Sequence, residues 1–438
     1  MKTTVSYKVR IIGMNRIFQP TAHIYQKAVA FLVPVVNEHW DDISEISYTN
    51  AKMLEIEKLV HTTKNHKAVY AFDDIFPKMP TYMRRAATFE AIGLVSNYRS
   101  NYANWEKAGS KKKPPRLGTH TSKAPVFYRG GCFKENKDDN TSCSLKLFVN
   151  NDWIWVDIHL RKQDVKYIDT HMKVSPSAPR LELKKGKAYL VFSFEEKVTL
   201  SKDPRIAVGV DLGLNSDAVM CAMTPDGTVL ARKFINFKSE KDRIWHLQRI
   251  TRKIQKKSGR RSTRNVWSYI DILNSDHEDK IACAIVDFAV YVNADVIVFE
   301  HLDIKDKKHM GKWSQRVAMW RKNSIQQRTA SKAHRLGIRV SHVNTWNTSR
   351  LAYDGSGAVK RDEDNHALCT FSTGKRYNCD LSASYNIAAR YFIRYLLKTL
   401  PETATSRIAA KVPDCANRTK CTLSTLISLN VELKQLAA

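Results

Sequence analysis

Three carboxylates carry the chemistry that can be read from this chain. Asp211 follows the alternating apolar residues Ile206, Val208 and Val210 and precedes a turn at Gly213, the pattern of a buried strand that ends in an acid. Glu300 closes a second apolar run, Val296 to Phe299, and Asp380 opens an amphipathic stretch that runs to Arg390. Taken alone, Asp211 reads more readily as an ordinary strand terminator than as a ligand. Taken together, two acids at strand ends and one at a helix start can converge on one sheet edge, although 89 and 80 residues separate them. Their mutual repulsion is relieved by divalent cations, and hard oxygen donors suit magnesium or manganese. Two such ions roughly 3.5–4 Å apart activate a water and stabilise a departing 3′ oxygen in an in-line displacement. That is nuclease chemistry, with Asp211, Glu300 and Asp380 as catalytic, metal-holding residues.

The elements that must position these acids follow in order. Val5, Tyr7, Val9 and Ile11 alternate as an isolated first strand. From Pro20 to Gly109 the spacing turns helical, and Tyr98, Tyr102 and Trp105 prolong the apolar stripe of Ala87, Phe89, Ile92 and Val95. That extension fits either core or a base-stacking face. After a basic, proline-broken connector, Pro125 to Leu200 reads as several short strands, which suggests a small barrel that accepts the first strand. The Asp211 strand then leads two further strands, Ala218 to Met223 and Thr228 to Ile235, joined by Pro225-Asp226-Gly227. A long basic helical stretch, an apolar helix, the Glu300 strand, another helix and a strand at residues 337–341 complete an α/β domain of the ribonuclease H order. Polar, Gly-rich sequence from Thr345 to Cys379 interrupts it as a finger. Cys369 and Cys379 fall short of the four ligands a zinc site wants, so a hairpin-like finger without metal is the first expectation and zinc the second.

The chain has 438 residues, with 72 Lys and Arg against 43 Asp and Glu, a net charge of +29. Such a surplus repels itself unless a polyanion is bound, so nucleic acid is the expected partner. Lys111, Lys112 and Lys113 in the connector, and Arg249, Arg252, Lys253, Lys256, Lys257, Arg260 and Arg261 in the basic stretch, are the candidate backbone contacts. The longest apolar run, Ala28 to Val36, is far short of the roughly 20 residues a membrane span needs. No membrane association is therefore expected. The first residues lack a secretory apolar region, and eight scattered cysteines without a CxxC pair suit a reducing compartment. A prokaryotic cytosol is the expected location.

Val208-Gly209-Val210-Asp211-Leu212-Gly213, Val298-Phe299-Glu300-His301-Leu302 and Tyr377 through Ala388 resemble the three RuvC motifs of the miniature type V, subtype V-F, CRISPR effector nucleases and their transposon-encoded TnpB relatives. Asn347 to Gly357 looks like the linker into that family's target-nucleic-acid-binding finger. The resemblance implies a multidomain α+β chain. The first wedge-barrel strand would occupy residues 1–17, a helical recognition lobe 18–120 and the rest of the wedge β-barrel 121–200. A RuvC, ribonuclease H-like domain would span 201–344 and 380–438, with the finger at 345–379. It also implies an RNA-guided, metal-dependent DNA endonuclease. Such an enzyme would take a guide RNA, two Mg2+ or Mn2+ ions and a double-stranded target beside a short T-rich motif, and its one active site would cut both strands. Two protein copies would share one guide. Size agrees with a homodimer: a compact chain of this length has a radius of gyration of roughly 22 Å, and a guide–target duplex of about 20 base pairs is on the order of 60 Å long. The alternatives are a TnpB-type transposon nuclease, with the same chemistry, and a guide-bound DNA-binding repressor. The family's fingers carry two CxxC pairs; here only Cys369 and Cys379 remain.

Overall fold

A computed structural model of the chain describes residues 1–438 other than 14, 110–112, 173, 185, 260–262, 302–319 and 438. It forms two compact units, residues 2–196 and a second that comprises 197–438 together with Met1.

In the first unit, β1 (Lys2–Ile12), β2 (Phe133–Glu135), β3 (Ser142–Val149), β4 (Asp152–Leu160), β5 (Arg180–Lys184) and β6 (Lys187–Lys197) form one sheet in the order β2-β3-β4-β1-β6-β5. The first strand does insert among later ones, between β4 and β6. The expected barrel does not form, because the sheet is open. Its edge strands, β2 and β5, are only three and five residues long, too short to stagger and tilt into closure. Helices cover the sheet instead. Phe18–Glu38 buries Tyr25, Leu32 and Val36 in the same core as Leu145, Leu147 and Phe194, and Thr21 Oγ1 accepts from the Phe148 amide at 2.9 Å. The β3–β4 turn is Asn150-Asn151, both at positive φ, the geometry of a two-residue hairpin of matching twist. In the helix Thr81–Lys107 the buried residues end at Val95. Tyr98, Tyr102 and Trp105 are only half-buried and pack on one another, with centroids 5.9 and 5.5 Å apart. The core reading therefore stops at Val95.

The second unit holds β7 (Ala207–Asp211), β8 (Ala218–Met223), β9 (Val229–Ile235), β10 (Val296–His301) and β11 (Arg339–Asn344) in the order β11-β10-β7-β8-β9. β10 runs parallel to both β7 and β11, whereas β7, β8 and β9 are antiparallel. Both faces of the central strands β7, β8 and β10 are covered, so those three read as near-continuous apolar runs. Val208, Val210, Ile297 and Phe299 pack toward the helices Arg264–Tyr291 and Lys322–Arg335. Ala207, Val296 and Val298 pack toward Cys379–Thr399 and Leu423–Ala437. The basic stretch is the helix Lys238–Ser258, which ends where Gly259 takes φ +75° and ψ 176°, an extended positive-φ conformation open essentially only to glycine. The finger is a three-stranded sheet rather than a hairpin, built from β12 (Lys360–Arg361), β13 (Leu368–Thr370) and β14 (Arg376–Asn378). All eight cysteines are free thiols. Among the described residues, no helix is long and apolar enough to cross a membrane.

Candidate active site

Asp211 and Glu300 leave the sheet side by side. The parallel register pairs Val210 with Phe299, so the next residue on each strand is the acid. Asp380 reaches the same edge through the helix Cys379–Thr399. Asn378 caps that helix, its Oδ1 accepting from the Leu381 amide at 2.9 Å, which satisfies one orphan donor of the first turn. Gly209 brings the helix close to β7. A Cβ there would lie 2.3 Å from the Ser384 carbonyl and 2.9 Å from the Ala388 amide, so only glycine permits the approach.

The three acids act on one another through space. Burial pushes the Asp211 carboxyl well above the ordinary range, and the negative charges of Glu300 and then Asp380 push it further, against Arg361 of β12. Burial also raises Glu300, which is 7% exposed, opposed by a hydrogen bond from Thr348 and by the charges of Arg390 and Lys322. Asp380 rises for the same first reason, opposed by Arg361. Low local dielectric and like charges are the two causes that raise carboxyl pKa values, and such clusters mark functional sites. The donor set fits a hard divalent cation in chemistry: all oxygen, buried and mutually repelling. Among the described residues, however, no group of three or more His, Cys, Asp or Glu side chains is placed so as to hold a metal ion.

The other expected residues fall elsewhere. Arg249, Arg252, Lys253, Lys256 and Lys257 are exposed on the helix Lys238–Ser258, and Lys113 is exposed in the connector. Arg260, Arg261, Lys111 and Lys112 lie outside the described residues. Cys369 and Cys379 are both buried; the Cys379 thiol donates to Cys369 Sγ, which in turn donates to the Tyr377 carbonyl at 3.5 Å. Among the described residues no third His, Cys, Asp or Glu joins them. Tyr353, Phe371, Tyr377 and Tyr385 form an aromatic cluster with centroids 5.1–6.3 Å apart. Lys375 sits 5.2 Å from both the Tyr353 and the Tyr377 ring and donates to the Tyr353 hydroxyl at 2.7 Å.

Sequence reasoning missed Arg361, Lys322, Thr348 and Arg390 as neighbours of the acids. One signal was visible: Ser382, Ser384, Asn386 and Arg390 are polar residues spread through an otherwise apolar helix, and buried polar groups need partners.

Residues 3–149 match the Aq_aa04 family. No curated protein matches the chain. Among solved structures the chain is similar to Cas12f1 in a complex with single-guide RNA and target DNA, at 15% identity over 85% of this chain and 81% of that one, with a TM-score of 0.54. A Cas12f ternary complex matches at 13% identity over 85% and 80%, with a TM-score of 0.33. C2c1 of Alicyclobacillus acidoterrestris with single-guide RNA matches at 10% over 86% and 67%, with a TM-score of 0.42. With a six-stranded open sheet under helices, a five-stranded mixed sheet carrying Asp211 and Glu300, and a helix that brings Asp380 to them, the chain has a fold similar to that of Cas12f1.

Proposed function

We propose that the chain is an RNA-guided DNA endonuclease of the miniature type V kind, with Asp211, Glu300 and Asp380 in its one active site. The observation that carries this reading is the meeting of those three acids at one sheet edge, each held above its ordinary pKa by burial and Asp211 also by its neighbours. The shared fold supports it, since the Cas12f1 structure holds single-guide RNA and target DNA. The guide would read sequence by base pairing, while the protein holds the heteroduplex by shape and backbone.

Each acid has a definable task. Asp211 and Glu300, on adjacent parallel strands, form the fixed side of the site. Asp380 closes it from the helix, and Arg361 faces the acids from the finger with a charge that offsets theirs. Two magnesium or manganese ions held by these carboxylates would polarise the scissile phosphate and activate water. The exposed cations of Lys238–Ser258 bind phosphates of the guide or target. A short T-rich motif beside the target and two copies of the chain on one guide complete the proposal.

The test is cleavage of a guide-matched DNA duplex in magnesium by the Asp211→Ala variant. Loss of cutting by about 10³-fold or more, with guide-directed binding retained, is expected. Cutting at the parental rate would remove the site assignment.

A further inference from the structure

The segment that follows β11 does more than lead into the finger. Thr348 is 2% exposed, and its hydroxyl hydrogen-bonds Glu300 Oε1 while lying 2.9 Å from the Thr345 carbonyl oxygen. The backbone that carries this hydroxyl is held by the same helix that carries Asp380. Asn386 Nδ2 donates to the carbonyls of Thr348 and Leu351, both at 3.0 Å, and its Oδ1 accepts from the Leu423 amide at 3.2 Å. One turn on, Arg390 Nη1 donates to the carbonyls of Asn344 at 2.7 Å and Trp346 at 2.8 Å. Its Nε and Nη2 bind the carbonyls of Cys421 at 3.0 Å and Thr419 at 3.2 Å. Thr345 Oγ1 donates to the His301 carbonyl at the end of β10, and Gln326 Nε2 donates to the Glu300 carbonyl at 3.1 Å.

We propose that Thr348 is a positioning residue for Glu300, which holds one carboxylate oxygen and so biases Glu300 to bind a cation through the other; this rests on the nuclease reading of the site. A carboxylate free to rotate offers a cation either one oxygen or both. A hydroxyl on Oε1 occupies one of its lone pairs and fixes the plane of the carboxylate, which disfavours the two-oxygen mode and turns Oε2 toward the cation. Because Asn386 and Arg390 fasten the hydroxyl's backbone to the helix of Asp380, the orientation of Glu300 is set relative to Asp380 as well as to its strand neighbour Asp211. Outer partners that orient a ligand typically change metal affinity or activity by 10–100-fold when removed.

The test uses the full-length chain and Mn2+ as the probe. Binding is followed by the loss of the free aquo-ion signal in electron paramagnetic resonance, and the magnesium concentration for half-maximal cleavage is measured beside it. Thr348→Val keeps the shape and deletes the hydroxyl, and Thr348→Ser keeps the hydroxyl and deletes the methyl. The expected result is Mn2+ affinity about tenfold weaker in Thr348→Val, a matching rise in the magnesium requirement, and near-parental behaviour in Thr348→Ser. Equal Mn2+ affinity and magnesium requirement in Thr348→Val and the parent would overturn the proposal and reduce Thr348 to packing. If Thr348→Val does not fold, Thr348→Ala takes its place and the same comparison with Thr348→Ser decides. Failure of the underlying reading looks different: the parent itself would show no Mn2+ binding that Asp211→Ala weakens.

Discussion

The helices Cys379–Thr399 and Lys238–Ser258 are both 21 residues long and treat polarity in opposite ways. In the first, every residue from Cys379 to Ile393 except Asp380 is buried, polar ones included. In the second, only Ile244 and Thr251 are buried, and a dense row of Lys and Arg faces water. Ser384, Asn386 and Arg390 are partnered and Ser382 Oγ is not; buried polar bonds are lost at full desolvation cost if the backbone moves, so the first helix is a precision element that cannot shift without cost. Exposed cations act by charge density, are screened by salt, and tolerate exchange among themselves. One helix thus encodes geometry and the other encodes attraction.

The contrast breaks most sharply at Gly209. Gly209→Ala places a Cβ against the Ser384 carbonyl, and a cost of about 3 kcal/mol in unfolding free energy is expected, with cleavage lost alongside. Denaturation at the parental midpoint would show that the helix does not press on β7. Exchange of Arg252, Lys253, Lys256 and Lys257 for Ala should leave the melting temperature nearly unchanged. It should weaken nucleic-acid binding about tenfold at moderate salt and flatten the log–log salt dependence by about three to four units. Equal loss at all salt concentrations would assign those side chains a structural role instead.

A smaller effect separates stability from chemistry within the buried corner. Asp211 has a raised pKa when folded, so its contribution to stability is present below the ordinary Asp value and is lost as pH rises through the raised one. With a chelator present, the parent should therefore lose stability above about pH 4. Asp211→Asn should melt on the order of 2 °C higher at neutral pH, the scale of a ~1 kcal/mol change, while cutting nothing. A lower melting point in that variant would contradict the repulsion. Least of all should the finger respond to zinc. Cys369→Ser combined with Cys379→Ser should cost no more than about 2 kcal/mol, and a zinc-selective chelator should leave the melting curve of the parent unmoved.

The acids were legible because strand ends announce themselves locally: Val208 and Val210 alternate before Asp211, and Val296 to Phe299 run apolar up to Glu300. The order of strands and helices around them followed for the same reason. Closure of the first sheet was not legible, since it depends on whether β2 and β5 are long enough to meet, and hydrogen bonding between distant strands leaves no local pattern. Thr348 could not be recognised either. A threonine beside Ser349 in a polar segment looks like any loop residue, and its worth arises only from the carboxylate that the fold brings to it. The aromatic stripe of Thr81–Lys107 shows the limit of periodicity: helical spacing continues from Val95 into Tyr98, Tyr102 and Trp105, but the covering layer does not.

Strand β14 ends at Asn378 and the helix bearing Asp380 begins at Cys379, with no residue to spare between them. The finger is therefore joined without a linker to the helix that bears Asp380. A tilt of the three short strands would reach Asp380 with no intervening loop to absorb it.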